Sequence, residues 1–160
     1  PAAYGEYVGF NLKDELAGQQ STTQLLNIPA DPVTQTSAYT AFQTFQSGYI
    51  ASLESDYAKA VTEIEKALAV EPDNGKYRFT LASAYMNQRK YPEAIQAFQQ
   101  TLRTDINEVY QAYTYYRLGS IYQGMGDKEK MRAAFQKVLD LAIGEPTIEE
   151  PVRRALLGEK

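Results

Sequence analysis

The residues available for acid–base or metal chemistry in this sequence are carboxylates, because it contains neither histidine nor cysteine. The commonest general base, the commonest metal ligand and the thiol nucleophile are therefore missing. Glu63 and Glu65 stand two positions apart on a predicted helix, so their side chains diverge and form no carboxylate pair. Asp73-Asn74-Gly75 lacks the later ligands of a calcium loop. The sequence predicts a protein that is not an enzyme and holds no metal or cofactor.

Charge and hydropathy exclude further classes of protein. The formal net charge of −4 argues against nucleic acid as a partner, because its binders usually carry a basic excess. No apolar run approaches the roughly 18 residues of a membrane helix. Residues 1–74 hold ten acids and three bases, a net −7, whereas residues 75–143 hold ten bases and six acids, a net +4. This asymmetry fits solvated helix faces, or a groove with an acidic and a basic end that orients a ligand or favours head-to-tail association.

The sequence repeats itself three times. A shift of 34 residues aligns Tyr57 with Tyr91 and Ile64 with Phe98. A third copy has Phe135 in the same role, 37 residues after Phe98. Such internal periodicity is typical of stacked repeat proteins, in which each unit buries its apolar face against its neighbours.

Each repeated segment follows another predicted helix. The preceding helices are expected at residues 38–53, 76–88 and 109–124, where small and apolar side chains recur at helical spacing. Turn and cap residues at 71–75 and 124–127 separate successive helices. The predicted unit is a pair of antiparallel helices, used three times.

Residues 144–160 are predicted to form a capping helix for the last repeat. Thr147 is expected as its N-cap, with Glu150 reaching back, and Pro151 would then fall in the first turn. Arginines 153 and 154 should face outward. The side chains expected to cover the last repeat are Val152, Ala155 and Leu156.

Residues 1–37 are predicted to be an N-terminal extension that is partly irregular. Residues 6–17 fit a short helix, whereas residues 18–36 are rich in turn formers. The segment Leu25–Pro29 is too apolar for a simple linker. The apolar side chains that align on the short helix are Val8, Leu12 and Leu16.

The repeats resemble the tetratricopeptide repeat family over about residues 41–143, as three copies at 41–74, 75–108 and 112–143. Met131 departs from the family pattern, which prefers alanine there. The resemblance implies an all-α fold, a right-handed superhelical array of antiparallel helix pairs. The matching residues are Gly48, Ala60, Ala67 and Pro72, then Leu81, Ala82, Tyr85, Ala94 and Phe98, then Tyr115, Leu118, Gly119, Tyr122 and Phe135.

The resemblance also implies a concave groove lined by the first helix of each pair. Aromatic side chains there would bury much apolar area at low entropic cost, as peptide-binding surfaces do. The alternative is that rings at helical spacing belong to the core, which is the interpretation we adopt for Tyr85 and Tyr122. The residues expected to line the groove are Phe42, Phe45, Tyr49, Phe79, Ser83, Met86, Asn87, Tyr113, Tyr116, Arg117, Ser120 and Gln123.

Some members of the family grip the C-terminal carboxylate of heat-shock chaperones with lysines, asparagines and an arginine. Those positions are held here by Phe45, Tyr49, Thr80, Tyr113 and Arg117. A single arginine does not make the clamp. The resemblance therefore predicts a groove that does not bind chaperone tails.

The leading hypothesis is a protein–protein interaction scaffold or assembly factor that binds an apolar or aromatic-seeking peptide segment in the groove. The alternative is a self-associating structural module in which Leu25–Pro29 occupies its own or a neighbour's groove, which implies a homo-oligomer. The resemblance adds an expectation of a role in bacterial envelope or organelle assembly. Because the sequence begins at Pro1 and not at methionine, we expect a processed or excised fragment with a leader or anchor upstream, which leaves a periplasmic or membrane-anchored location open.

Overall fold

The computed structural model describes the backbone of residues 32–158 and the side chains of residues 37–158. The short helix predicted at residues 6–17 and the apolar segment Leu25–Pro29 lie outside the described residues. Within them the chain forms seven helices and no strand: α1 Pro32–Leu53, α2 Tyr57–Val70, α3 Gly75–Asn87, α4 Tyr91–Thr101, α5 Glu108–Met125, α6 Lys128–Leu141 and α7 Pro146–Leu157. No helix in this range combines the length and the apolar character needed to cross a membrane.

The helices pack as three successive pairs. α1 packs on α2, α3 on α4 and α5 on α6, and each pair also contacts the next. Connections of two or three residues join the two helices of each pair, so partners run antiparallel. The predicted all-α array of antiparallel helix pairs is confirmed.

A small residue on the first helix of each pair faces a large buried one on the second. A Cβ added to Gly48 would lie 2.7 Å from Cγ1 of Ile64, and one added to Gly119 would overlap the ring of Phe135. Ala82 and Phe98 hold the equivalent positions in the middle pair, and both are fully buried. Close packing of a large side chain against a small one therefore sets the spacing within each pair. Met131, the departure from the family pattern, is also buried.

Most helices begin at a side-chain cap. Carboxylate or amide oxygens of Asp56, Asn74, Asn107 and Asp127 accept hydrogen bonds from backbone N–H groups of the first turn, at 3.0–3.2 Å. Gly126 ends α5 with a positive φ of 77°, which glycine adopts without strain. Of the turns predicted at 71–75 and 124–127, residues 71–74 and 126–127 connect helices, whereas Gly75 opens α3 and Gly124 and Met125 belong to α5.

Helix α1 starts earlier than predicted. The sequence favoured an irregular chain up to residue 36, but α1 already begins at Pro32, so that prediction is wrong for residues 32–36. Proline is well suited to a first helical position, because its φ is fixed near the helical value and its missing N–H would have no helical partner there.

The start of α7 was also predicted incorrectly. Glu145, not Thr147, is the N-cap, and its Oε1 accepts from the backbone N of Thr147 at 3.2 Å and from Thr147 Oγ1 at 2.7 Å. Glu149, not Glu150, reaches back to accept a hydrogen bond from Gly144 N at 2.9 Å. Because Pro146 opens the helix, Pro151 lies beyond the first turn.

Helix α7 covers the last pair as predicted. Val152 is fully buried, and Ala155 and Leu156 are partly buried against the same core. Ile148 joins them from one turn earlier. The arginines at 153 and 154 are exposed.

Candidate functional site

A groove runs across the first helices of the three pairs. Its cavity has a volume of about 670 Å³, part of which is open to solvent. All its lining residues come from α1, α3 and α5, the helices that the sequence predicted to face it. They are Phe45, Tyr49, Ser52, Leu53, Lys76, Phe79, Thr80, Ser83, Ala84, Asn87, Tyr110 and Arg117. This set is called the aromatic groove below.

Two phenylalanines form the floor of the aromatic groove. The ring of Phe45 stacks on Tyr77, with centroids 4.3 Å apart and planes 18° apart. The ring of Phe79 meets Tyr110 edge to face at 5.5 Å. Each phenylalanine is only 5% exposed, so neighbouring rings hold both in fixed orientations. The floor is therefore preorganised and apolar.

Tyr49 and Leu53 form the more exposed part of the wall on α1. Tyr49 is half-buried, and burial raises the pKa of its phenol above the ordinary value. Leu53 is 48% exposed and offers an apolar edge to solvent. A ligand on this wall would cover apolar area that water now contacts.

The polar groups of the aromatic groove are basic or neutral. Lys76 on α3 and Arg117 on α5 are the charged members, and no carboxylate is among the twelve lining residues. Thr80 Oγ1 donates to Lys76 O at 3.0 Å and Ser83 Oγ donates to Phe79 O at 2.9 Å. Both hydroxyls keep lone pairs that accept hydrogen bonds. The site therefore suits a largely apolar ligand with a few polar or negative groups.

Ser52 adds a buried hydroxyl to the groove wall. Its Oγ makes no hydrogen bond to any residue that the structure describes. A buried hydroxyl without a partner costs free energy.

The structure brings together six of the twelve residues predicted for the groove. These are Phe45, Tyr49, Phe79, Ser83, Asn87 and Arg117. The other six lie outside this cavity: Phe42, Met86, Tyr113, Tyr116, Ser120 and Gln123.

Residues of the third pair account for most of the difference. Tyr113 is buried, and its phenol interacts with the side chain of Thr147 at the start of α7. Burial is the main cause that raises its pKa. The Tyr116 ring stacks on Phe135, with centroids 6.2 Å apart, and Gln123 is exposed. The cavity is concentrated between the first two pairs, so α5 contributes only through Tyr110 and Arg117.

The repeat register identifies several lining residues that the sequence prediction missed. Lys76 lies 34 residues after Phe42 and 37 before Tyr113, two positions that the sequence analysis had assigned to the groove. Ser52 lies 34 residues before Met86, and Leu53 lies 34 before Asn87. Applying one register to all three first helices would have predicted these residues.

Tyr85 and Tyr122 pack against the core, as predicted. The Tyr85 hydroxyl donates to Glu65 Oε1 at 2.8 Å. Burial and this carboxylate raise the pKa of Tyr85 to about 12. Lys130 Nζ lies 5.6 Å from the centre of the Tyr122 ring. Neither tyrosine lines the aromatic groove.

Residues 32–158 contain no group of three or more His, Cys, Asp or Glu side chains arranged to hold a metal ion.

Residues 54–109 and 112–142 match family models described as tetratricopeptide repeat, and together these ranges span more than half of the 160 residues. A search of the curated proteins found no match.

Solved structures show the same fold. The tetratricopeptide repeat domain of Arabidopsis OM64 has a TM-score of 0.64 at 18% identity, over 74% of this chain and 98% of that one. The N-terminal domain of stress-induced protein-1 from C. elegans has a TM-score of 0.63 at 21% identity, over 78% and 98%. The first such domain of Spaghetti, bound to the HSP90 peptide SRMEEVD, has a TM-score of 0.62 at 18% identity, over 73% and 90%.

Proposed function

Because the chain belongs to the tetratricopeptide repeat family, we propose that it is a non-enzymatic interaction scaffold whose aromatic groove binds an extended apolar segment of a partner protein. The family's arrays serve as protein–protein interaction modules, and stacked repeats create extended concave surfaces for this purpose. The observation that carries the proposal is the continuous cavity formed by three first helices over a floor of fixed aromatic rings.

The apolar floor favours a segment with aromatic or aliphatic anchors. Phe45 and Phe79 are already ordered, so a ligand would bind without paying to immobilise them. Lys76 and Arg117 among the lining residues would then select the register of the bound segment through its polar or acidic side chains.

A chaperone tail is a poorer fit for the same groove. The domain of Spaghetti binds a peptide that ends in two glutamates, a valine and an aspartate. In this chain Phe45 and Tyr49 stand where the clamp needs polar groups, and Lys76 and Arg117 are the only basic lining residues. Burying several carboxylates against aromatic rings would cost more than two cations return.

Fluorescence anisotropy with labelled heptapeptides tests the proposal. One peptide alternates phenylalanine and leucine with serine, a second replaces those apolar residues by serine, and the third is SRMEEVD. We expect the first peptide to bind at least tenfold more tightly than the other two. Preference for SRMEEVD, or equal affinity for all three, would overturn the proposal.

Substitutions locate the binding surface. Tyr49→Ala and Leu53→Ala remove wall residues that are partly exposed, so the array should stay folded by circular dichroism. Each should weaken binding of the apolar peptide by about tenfold, which corresponds to about 1.4 kcal/mol. Tyr39→Ala is the matched control, because Tyr39 is 62% exposed on α1 and lies outside the groove, so this variant should bind the apolar peptide with unchanged affinity. The role in bacterial envelope assembly stays a prediction.

A further inference from the structure

One position of the repeat is exposed at the N-terminal end of the array, although it is buried in the two later repeats. The shifts of 34 and 37 residues place Ile50, Ala84 and Ile121 at the same position of α1, α3 and α5. Ala84 is 1% exposed and Ile121 is 3% exposed, whereas Ile50 is 48% exposed. Ile50 is therefore exposed to water, although its side chain is larger and more apolar than that of Ala84.

The preceding helix pair explains the burial of the two later residues. Ala84 belongs to a core cluster with Phe45 and Ala51 of α1. Ile121 belongs to a cluster with Ala94 and Phe98 of α4. Ile50 has the same role in the first pair, but no described residue precedes that pair.

A second position on the same face behaves alike. Gln43, Tyr77 and Thr114 are related by the same two shifts. Tyr77 and Thr114 are buried, and Gln43 is exposed. The N-terminal face of α1 therefore has the position of an interface between neighbouring units and lacks its neighbour among residues 32–158.

The C-terminal end of the array shows how such a face is closed. α7 covers the last pair with Ile148, Val152 and Leu156, which are spaced four residues apart. Arrays of this kind need a terminal element with one apolar and one polar face. The same spacing of four residues occurs before α1 in the sequence, at Val8, Leu12 and Leu16.

We propose that residues 6–17 form a helix that covers the N-terminal face of α1, with Val8, Leu12 and Leu16 packed around Ile50. The chain is long enough for this arrangement. Ile50 lies 18 residues after Pro32, about 27 Å along the axis of α1. The 14 residues from 18 to 31 span up to about 46 Å when extended, so they can lead the helix back along α1.

Spacing favours this segment over the other apolar stretch of the extension. Leu25 and Ile28 make a single helical interval, and Pro29 follows Ile28 directly, so this stretch does not continue the spacing over several turns. Such a pattern does not provide a helical stripe that matches α1. A second copy of the chain is the alternative to residues 6–17 as the cover of the N-terminal face of α1, and the test below distinguishes the two.

Cysteine cross-linking in the chain of 160 residues tests the proposal, because this sequence contains no native cysteine. Three double variants combine Ile50→Cys with Val8→Cys, Leu12→Cys or Leu16→Cys, and each is treated with a short bis-maleimide. We expect rapid cross-linking within one chain in at least one variant, detected as a monomer of shifted mobility and confirmed by peptide mass. Cysteine at 50 replaces an exposed side chain, so folding should persist.

Two control pairs define the outcomes. Leu12→Cys with Leu157→Cys places the second thiol on an exposed residue of α7, at the opposite end of the array, and it should cross-link slowly. Leu25→Cys with Ile50→Cys reports on the other apolar stretch. The proposal is overturned if the three test pairs react no faster than these controls. Covalent dimers joined through position 50 would overturn it too and would show that a second copy covers the face.

Discussion

At the scale of single residues, two glycines of α5 have opposite surroundings. A Cβ on Gly119 would overlap the Phe135 ring, whereas a Cβ on Gly124 would meet no atom within 4 Å. Overpacking a core position costs about 1–3 kcal/mol. Alanine favours a helix over glycine by about 0.5–1 kcal/mol.

We therefore predict that Gly119→Ala lowers the free energy of unfolding by about 1–2 kcal/mol, because overpacking exceeds the gain in helix propensity. Gly124→Ala, the matched control, should raise it by about 0.5–1 kcal/mol. Urea denaturation followed by circular dichroism measures both changes. If Gly119→Ala were as stable as Gly124→Ala, the contact between Gly119 and Phe135 would not set the spacing of this pair.

The Tyr85 phenol gives a pH prediction. Its folded pKa of about 12 lies above the ordinary value of 10, first because of burial and then because of Glu65. Its contribution to stability is therefore complete below pH 10 and is lost as the pH rises towards 12. Glu65→Gln should lower the pKa of Tyr85 without restoring 10, since burial persists, and Glu63→Gln should leave it unchanged. The NMR chemical shifts of the Tyr85 ring against pH check this, and an unchanged pKa of Tyr85 in Glu65→Gln would contradict it.

At the scale of elements, α7 contains one proline at its first residue, Pro146, and one in its interior, Pro151. Pro146 is the first helical residue, whose N–H would have no helical acceptor, whereas Pro151 removes the hydrogen bond to the Thr147 carbonyl. We predict that Pro151→Ala stabilises the array by about 1–3 kcal/mol, while Pro146→Ala is neutral or slightly destabilising. Thermal unfolding at one scan rate compares the two variants. A lower Tm for Pro151→Ala than for Pro146→Ala would contradict this account.

Elements were predictable where local chemistry allowed one choice. Asn74 and Asp127 are strong N-caps between apolar stripes, so the turns around them could be located from the sequence. Glu145, Pro146 and Thr147 are adjacent, and each is compatible with a helix start, so the pattern alone did not identify the N-cap of α7. The groove was predicted from single positions, and Lys76 was missed because a lysine on a helix is usually a solvated residue. Tyr113 was misplaced because its contact with Thr147 depends on where α7 docks, which no local pattern encodes.

At the scale of the whole molecule, the array is a row of pairs that contact their immediate neighbours. Its stability is then approximately a sum of terms for the pairs and for the interfaces between them. Ile121 is buried at the interface between the second and third pairs, in a cluster that includes Phe79 and Phe98. A cavity at Ile121 should therefore weaken the interface between the second and third pairs more than it weakens the packing within either pair.

We therefore predict that Ile121→Ala lowers the free energy of unfolding by about 2–4 kcal/mol, in line with buried isoleucine truncations. It should also make urea unfolding less cooperative, with a smaller slope, because α5–α7 would open before α1–α4. Hydrogen exchange should accelerate more in α5, α6 and α7 than in α1 and α2. Val109→Ala, at an exposed position of α5, is the control and should change neither quantity. Equal acceleration in all helices would show that the array unfolds as one cooperative unit, and the sum of pair and interface terms would then not describe it.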